Sequence, residues 1–246
     1  TLADAWLGTF AYSLQLFFDF AGYSVMGIGL GQMLGFKFPE NFDFPYVSLS
    51  IQEFWRRWHM TLGTWLRDYL YVPLGGNRVG PRRAYLNLML IMVISGLWHG
   101  ADSFNFVIWG VLHGLAMLLQ RFWSRNGGPD VPKVLSWLLT MGFVISAWTI
   151  FRAQDLAAAW AMYMGQWGFH GVPLSAEIAH VLRPVHGWAF LLGCFWATWP
   201  WWRSRVTAHT PTVLQPVVYF WPLLAALMSV ALMASRGATP FLYFQF

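Results

Sequence analysis

The sequence predicts an all-α, polytopic membrane protein, and three observations carry that reading. Of its 246 residues, 57% are hydrophobic and only 10% are charged, against about 25% charged in a soluble domain. Several apolar runs approach the ~20 residues a helix needs to cross a hydrocarbon core. The arginines and lysines fall between those runs, which suits cytoplasmic loops facing anionic lipid better than nucleic acid. No nucleic-acid partner is expected, and the lipid bilayer is. The single cysteine, Cys194, permits no internal disulfide. The chain opens at Thr1 without a signal-peptide pattern, and is expected to be a piece of a longer protein, with 1–246 as one membrane domain.

Residues 1–35 form the first apolar stretch. Asp19 sits within LFFDFAGY, with Gln15 and Tyr23 one helical turn to either side. A carboxylate in lipid is either paired to a neighbouring helix or used chemically. Gly27, Gly31 and Gly35 recur every fourth residue, a spacing that predicts close helix approach. Residues 36–49 read as an aromatic, proline-marked interface loop. Ser50 followed by Glu53 then predicts a capped helix start. Along SIQEFWRRWHMTLGTWLRDYLYVPLGG, the residues Ile51, Phe54, Trp55, Trp58, Leu62, Trp65, Leu66 and Tyr69 recur at three- and four-residue steps. Arg56, His59, Gly63 and Arg67 fall on another face. That pattern predicts one amphipathic helix, lying in the interface or lining a wet cavity, ended by Pro73 and Gly75–Gly76.

Further spans are expected at about 84–101, 104–122, 133–151, 186–202 and 216–235. Asp102 or Ser103 is placed to cap the second of these. Residues 153–184 contain a short amphipathic segment, DLAAAWAMYMGQWGF. If alternate loops face alternate sides, one side collects Arg78, Arg82, Arg83, Arg121, Arg125, Lys133, Arg203 and Arg205. The other collects only Arg152, Arg183 and Arg236. The richer side is expected to be cytoplasmic. His99 follows Arg83 at a distance of roughly 24 Å along a helix, which places it deep and reached from the opposite side. His59 is expected nearer the cytoplasm.

The chain is organised around IMVISGLWHG-ADSFNF-VIWGVLHG. Two apolar helices meet at a polar turn, and His99 stands just before it. An ionisable side chain in lipid is costly and is a functional candidate. A buried neutral imidazole is a good general base. The alternative is a histidine hydrogen-bonded between helices. That alternative is favoured for His113, which lies at a depth differing from that of His99 by roughly 10 Å on antiparallel helices, too far to share a proton. His170, His180, His186 and His209 fall in or near loops. No HExxH pattern, close histidine pair or cysteine cluster occurs, so no metal is expected. There is no G-x-S-x-G elbow. These residues describe a membrane protein with a buried histidine and a wet, basic, aromatic cavity; they do not choose a reaction.

EFWRRWHMTLGTWLRDYLYVPLGGNR and SGLWHGADSFNFVIWGVLHG closely resemble the two signature regions of the membrane-bound O-acyltransferase (MBOAT) family, in particular its bacterial alginate O-acetylation branch. FFDFAGYSVMGIGLG, the NFDFPY loop and the terminal PFLYFQF are similar to that branch as well. The resemblance implies a ring of transmembrane and re-entrant helices around a central tunnel. It assigns the catalytic role to His99 and the second signature position to His59. It further implies acetyl-CoA as a cytoplasmic acyl donor, with no bound cofactor. The acetyl group would cross the bacterial inner membrane to a periplasmic acyltransferase partner that modifies an exopolysaccharide such as alginate. Related branches serve peptidoglycan, cellulose and teichoic acid. Arg56 and Arg67 are candidates for holding the anionic donor. The family has further helices before this region, so the chain is expected to be a C-terminal portion. TLGTW after His59 departs mildly from the serine-containing form of the branch.

Two competing readings remain at this stage. One is a proton-relay or transport protein that uses Asp19, His99 and His113 as a titratable set. The other is a structural scaffold for a polysaccharide-export complex.

Overall fold

A computed structural model describes residues 1–100 and 103–202, and the expected span at 216–235 lies outside them. The described residues are helical throughout, with no strand. The chain separates into two compact units, Thr1–Ala197 and Thr198–Phe246. The second is described only over its first turn, where the Trp202 indole donates to Thr198 Oγ1 at 3.0 Å.

Within the first unit, α1 (Leu2–Met33) begins at a Thr1 cap with a reciprocal Asp4 contact. Next come α2 (Ile51–Arg57) and α3 (Met60–Leu66), then a π-helical turn, Arg67–Tyr71. The long hairpin follows: α4 (Pro81–His99) and α5 (Phe104–Arg125). The chain continues through α6 (Lys133–Arg152), α7 (Leu156–Gln166), α8 (Ala176–Val181) and α9 (Pro184–Ala197). Two described helices, α5 and α6, are long and apolar enough to cross a membrane, spanning roughly 33 and 30 Å.

The hairpin is held by glycines. A Cβ at Gly96 would strike the carbonyl oxygen of Phe106, and one at Gly110 would strike that of Met92. These reciprocal contacts bring the two backbones together, as small residues allow where helices meet in lipid. Ser103 caps α5 by accepting from the Asn105 N–H at 3.3 Å. The Asn105 side chain then ties α5 to the end of α6 by donating to the Ala153 carbonyl at 2.7 Å. α2 lies against α5, where the Gln52 N–H donates to Gln120 Oε1 at 3.0 Å. Buried Phe54, Trp58, Trp109 and Trp148 form the aromatic core between these elements.

Three expectations are corrected. The amphipathic helix expected from Ser50 to Tyr71 is broken at Trp58–His59, because His59 takes the left-handed conformation at φ 46°. The periodic pattern continues across the break, but its faces do not. The Ser50 cap is present, accepting from the Glu53 N–H at 3.1 Å, whereas Glu53 reaches the Leu49 N–H rather than that of Ser50. Second, Gly27 meets no neighbour, Gly31 receives the Phe38 ring, and Gly35 lies beyond α1 at φ 84°. Among the described residues, none of the three meets another helix. Third, Asp19 makes no ion pair among the described residues. It is half-buried, and its hydrogen-bonding neighbour is Gln15 on its own helix.

Candidate active site

His99 is the last residue of α4. Its ring stands edge-on to Trp98 at 4.9 Å, Trp109 at 5.4 Å and Phe151 at 5.1 Å, with Phe106 at 6.4 Å. Three helices therefore supply its surroundings: α4 its own, α5 Trp109 and Phe106, and α6 Phe151. Position at a helix end matters, because the chain turns away at Gly100 and leaves one side of the ring without a following turn. Ser95, one turn earlier, is 1% exposed, and its hydroxyl has no hydrogen-bond partner.

The His59 ring also lies against Trp98, at a ring distance of 6.0 Å. Its backbone lies in the left-handed region, which costs a non-glycine residue of order 1–3 kcal/mol and persists only where the surroundings impose it. Asn41 imposes it. The Asn41 carbonyl accepts from the Met60 N–H at 2.9 Å. Asn41 Oδ1 accepts from the Thr61 N–H at 3.2 Å and from the Thr61 hydroxyl at 2.8 Å. The same oxygen lies 3.1 Å from His59 Nδ1. An oxygen that already accepts from an N–H and a hydroxyl can only accept from the ring, so Nδ1 carries the hydrogen. Nε2 is left as the lone-pair nitrogen, and it is buried without a partner. Phe20, edge-on at 4.8 Å, and Phe42 complete the enclosure.

His113 has the opposite arrangement. It is fully buried, and the Trp55 indole donates to its Nδ1 at 3.3 Å. Indole is a donor only, so His113 Nδ1 accepts and Nε2 bears the hydrogen. The interhelical bond expected for His113 is present. No hydrogen bond joins any two of Asp19, His99 and His113 among the described residues.

Buried polar side-chain atoms are nearly always hydrogen-bonded, and each exception asks for an explanation. Here Ser95 Oγ, Trp109 Nε1 and His59 Nε2 are buried without a hydrogen-bond partner among the described residues. Ser95 lies one turn before His99, the Trp109 ring 5.4 Å from that of His99 and the His59 ring 6.0 Å from that of Trp98. The arrangement combines a half-buried imidazole at a helix end, a second imidazole of assigned tautomer, and buried donors without partners among the described residues.

The two basic candidates differ. Arg56 is exposed. Arg67 donates through Nε and Nη2 to Asp68 at 2.7 and 3.2 Å, and these bonds hold the Asp68 carboxyl below its usual range. Its guanidinium fork is thus already occupied. No group of three or more metal-ligating side chains occurs among the described residues. Asn41 and Trp109 went unnoticed in the sequence, since only their folded neighbours single them out. The one local signal for Asn41 was its place in the proline-marked PENFDFP loop.

These features fit a membrane enzyme whose chemistry is built at the junction of two helices. Residues 1–162 match the model of the MBOAT, membrane-bound O-acyltransferase family, and the chain belongs to that family. It is 53% identical over 169 residues to a probable alginate O-acetylase of Pseudomonas aeruginosa, covering 69% of this chain and 32% of that protein. A probable alginate O-acetylase of Pseudomonas putida is 41% identical over 263 residues, covering 100% and 54%. A peptidoglycan O-acetyltransferase of Helicobacter pylori is 48% identical over 189 residues, covering 74% and 36%. The chain thus spans between a third and a little over half the length of these relatives.

Proposed function

We propose that this chain is the C-terminal catalytic portion of a membrane-bound O-acyltransferase that transfers an acetyl group for O-acetylation of an exopolysaccharide such as alginate. The observation that carries this reading is the position of His99 at the end of α4 beside Ser95 and Trp109, whose buried polar atoms have no hydrogen-bond partner among the described residues. The names of the relatives in two Pseudomonas species supply the substrate class.

In this mechanism His99 takes the proton of an attacking hydroxyl as the oxygen bonds to the acetyl carbonyl carbon of acetyl-CoA. The C–S bond then breaks, and the thiolate leaves with the proton returned by His99, giving free CoA-SH. Ser95 Oγ and Trp109 Nε1 are hydrogen-bond donors placed to meet charge developing on oxygen. His59, whose ring donates to Asn41 through Nδ1, offers Nε2 as an acceptor beside Trp98. The fold in the whole protein is a ring of transmembrane and re-entrant helices around a tunnel, with 1–246 as one membrane domain. It is multi-pass in the bacterial inner membrane. Donor enters from the cytoplasmic side, where the larger count of loop arginines lies. A periplasmic acyltransferase partner receives the acetyl group. Arg56, whose charge is unpaired among the described residues, is a better donor contact than Arg67.

The relay reading draws no support, since His113 Nδ1 is occupied by Trp55 and Asp19 bonds within its own helix. The test is acetyl-CoA turnover by the full-length protein with its periplasmic partner. His99→Ala should lower turnover by about 10²–10⁴-fold, the usual contribution of general acid–base catalysis. Unchanged turnover in an inserted, folded variant contradicts the proposal.

A further inference from the structure

A second cleft, of about 250 Å³, opens between α1, α6 and α7. It is separate from the histidine cluster: Trp148 lines it and stands between it and Trp109. Its walls include Thr9, Tyr12, Thr149, Arg152 and Gln154. Most of the polar atoms here already satisfy one another. Gln166 Nε2 donates to Thr9 Oγ1 at 2.9 Å and to Thr149 Oγ1 at 2.8 Å, and the Thr9 hydroxyl donates to the Ala5 carbonyl at 2.8 Å. The Ala153 carbonyl is taken by Asn105.

Three groups are not satisfied among the described residues, one of them the buried Trp148 Nε1. The Tyr12 hydroxyl is buried without a partner on a side chain that is 8% exposed. The Arg152 guanidinium lies 5.8 Å from the centre of the Tyr12 ring and forms no ion pair among the described residues. Asp155, the carboxylate nearest to it in sequence, caps α7 instead, accepting from the Ala158 N–H at 2.7 Å. What remains at the cleft is a buried phenol donor beside an exposed guanidinium that forms no ion pair among the described residues.

We propose that this cleft binds an oxyanion-bearing ligand, with Arg152 and the Tyr12 hydroxyl as its two donors. Arginine presents a planar fork that matches a carboxylate or a phosphate group. A buried unpartnered O–H gains a bond when the ligand brings an acceptor, and an anionic acceptor pairs in addition with the exposed Arg152 guanidinium, which a neutral ligand does not. The cleft volume holds one sugar acid or one glycerophosphate headgroup. The proposal is independent of the acyl-transfer reading, since binding requires neither donor nor His99.

The test measures equilibrium binding to the full-length protein in detergent micelles without acyl donor. The probes are sodium glucuronate and glycerol 3-phosphate, with glucose and glycerol as their neutral counterparts. At least one anion is expected to bind saturably, with its neutral counterpart about tenfold weaker or more. A preference for glucuronate identifies a sugar acid, and a preference for glycerol 3-phosphate identifies a lipid headgroup. Arg152→Gln and Tyr12→Phe should each weaken the anion by about tenfold. Saturable binding of neither anion, equal binding of the neutral counterparts, or an unchanged Kd in folded Arg152→Gln would overturn the proposal. The wild-type comparison of charged and neutral probes decides the matter even if a variant does not fold.

Discussion

His99 and His113 sit in nearly the same local sequence, Leu-Trp-His-Gly and Val-Leu-His-Gly, yet the fold gives them different chemistry. His113 lies in the middle of α5, where helix continues on both sides and α2 covers the ring. Trp55 takes its Nδ1 lone pair, and the residue is sealed. His99 closes α4, so nothing follows it on its own helix, and its neighbours are aromatic edges that pack without hydrogen bonding. The same His-Gly pair thus yields a structural histidine and a candidate base. The difference teaches that position along the helix, more than neighbouring residues, decides whether a membrane histidine keeps a usable lone pair.

The sharpest way to break the comparison is to pull apart the hairpin that holds both histidines. Gly96→Val forces a side chain into the Phe106 carbonyl. Overpacking of this kind costs about 1–3 kcal/mol and sometimes more. A lower thermal transition and loss of activity are expected together, and an unchanged transition would show that the hairpin is not closely packed at Gly96. Asn41→Ala comes next. It strips the acceptor from the Thr61 N–H, the Thr61 hydroxyl and His59 Nδ1 at once. Leaving such groups unpaired costs about 1–3 kcal/mol, and His59 loses its tautomer. His59→Asn separates the two effects, because asparagine tolerates the left-handed backbone while removing the imidazole. Its melting temperature should stay near wild type while acetyl transfer falls. The smallest effect is expected from His113→Phe, which keeps a ring in the aromatic stack and leaves only the Trp55 indole unpartnered. A stability loss of about 1 kcal/mol with transfer within a few-fold of wild type is the expected result, read from thermal denaturation and initial rates.

Much of this was legible in the sequence. The hairpin limits follow from Gly100, the Ser103 cap and the run of apolar residues; α6 was expected at 133–151 and is observed at Lys133–Arg152. The His113 pairing followed from its depth in a helix. Three things were not fully legible. The break at His59 is invisible to periodicity, because Trp58 and Leu62 keep the spacing while Asn41, distant in sequence, enforces the turn. The glycines that join the helices open two four-residue glycine pairs, Gly96–Gly100 and Gly110–Gly114, a spacing that permits close helix approach but does not say which helix each one meets. Gly27, Gly31 and Gly35 have the regular spacing too, yet meet no other helix among the described residues. The cleft at Tyr12 and Arg152 is formed by side chains 140 residues apart, so only the fold brings them together.

The most direct measurement follows isotope-labelled acetyl from acetyl-CoA in the full-length protein with its periplasmic partner, comparing His99→Ala with His113→Phe in parallel. The account predicts transfer at background for the first variant and near wild type for the second. Equal losses in both, or a loss only in His113→Phe, would contradict it.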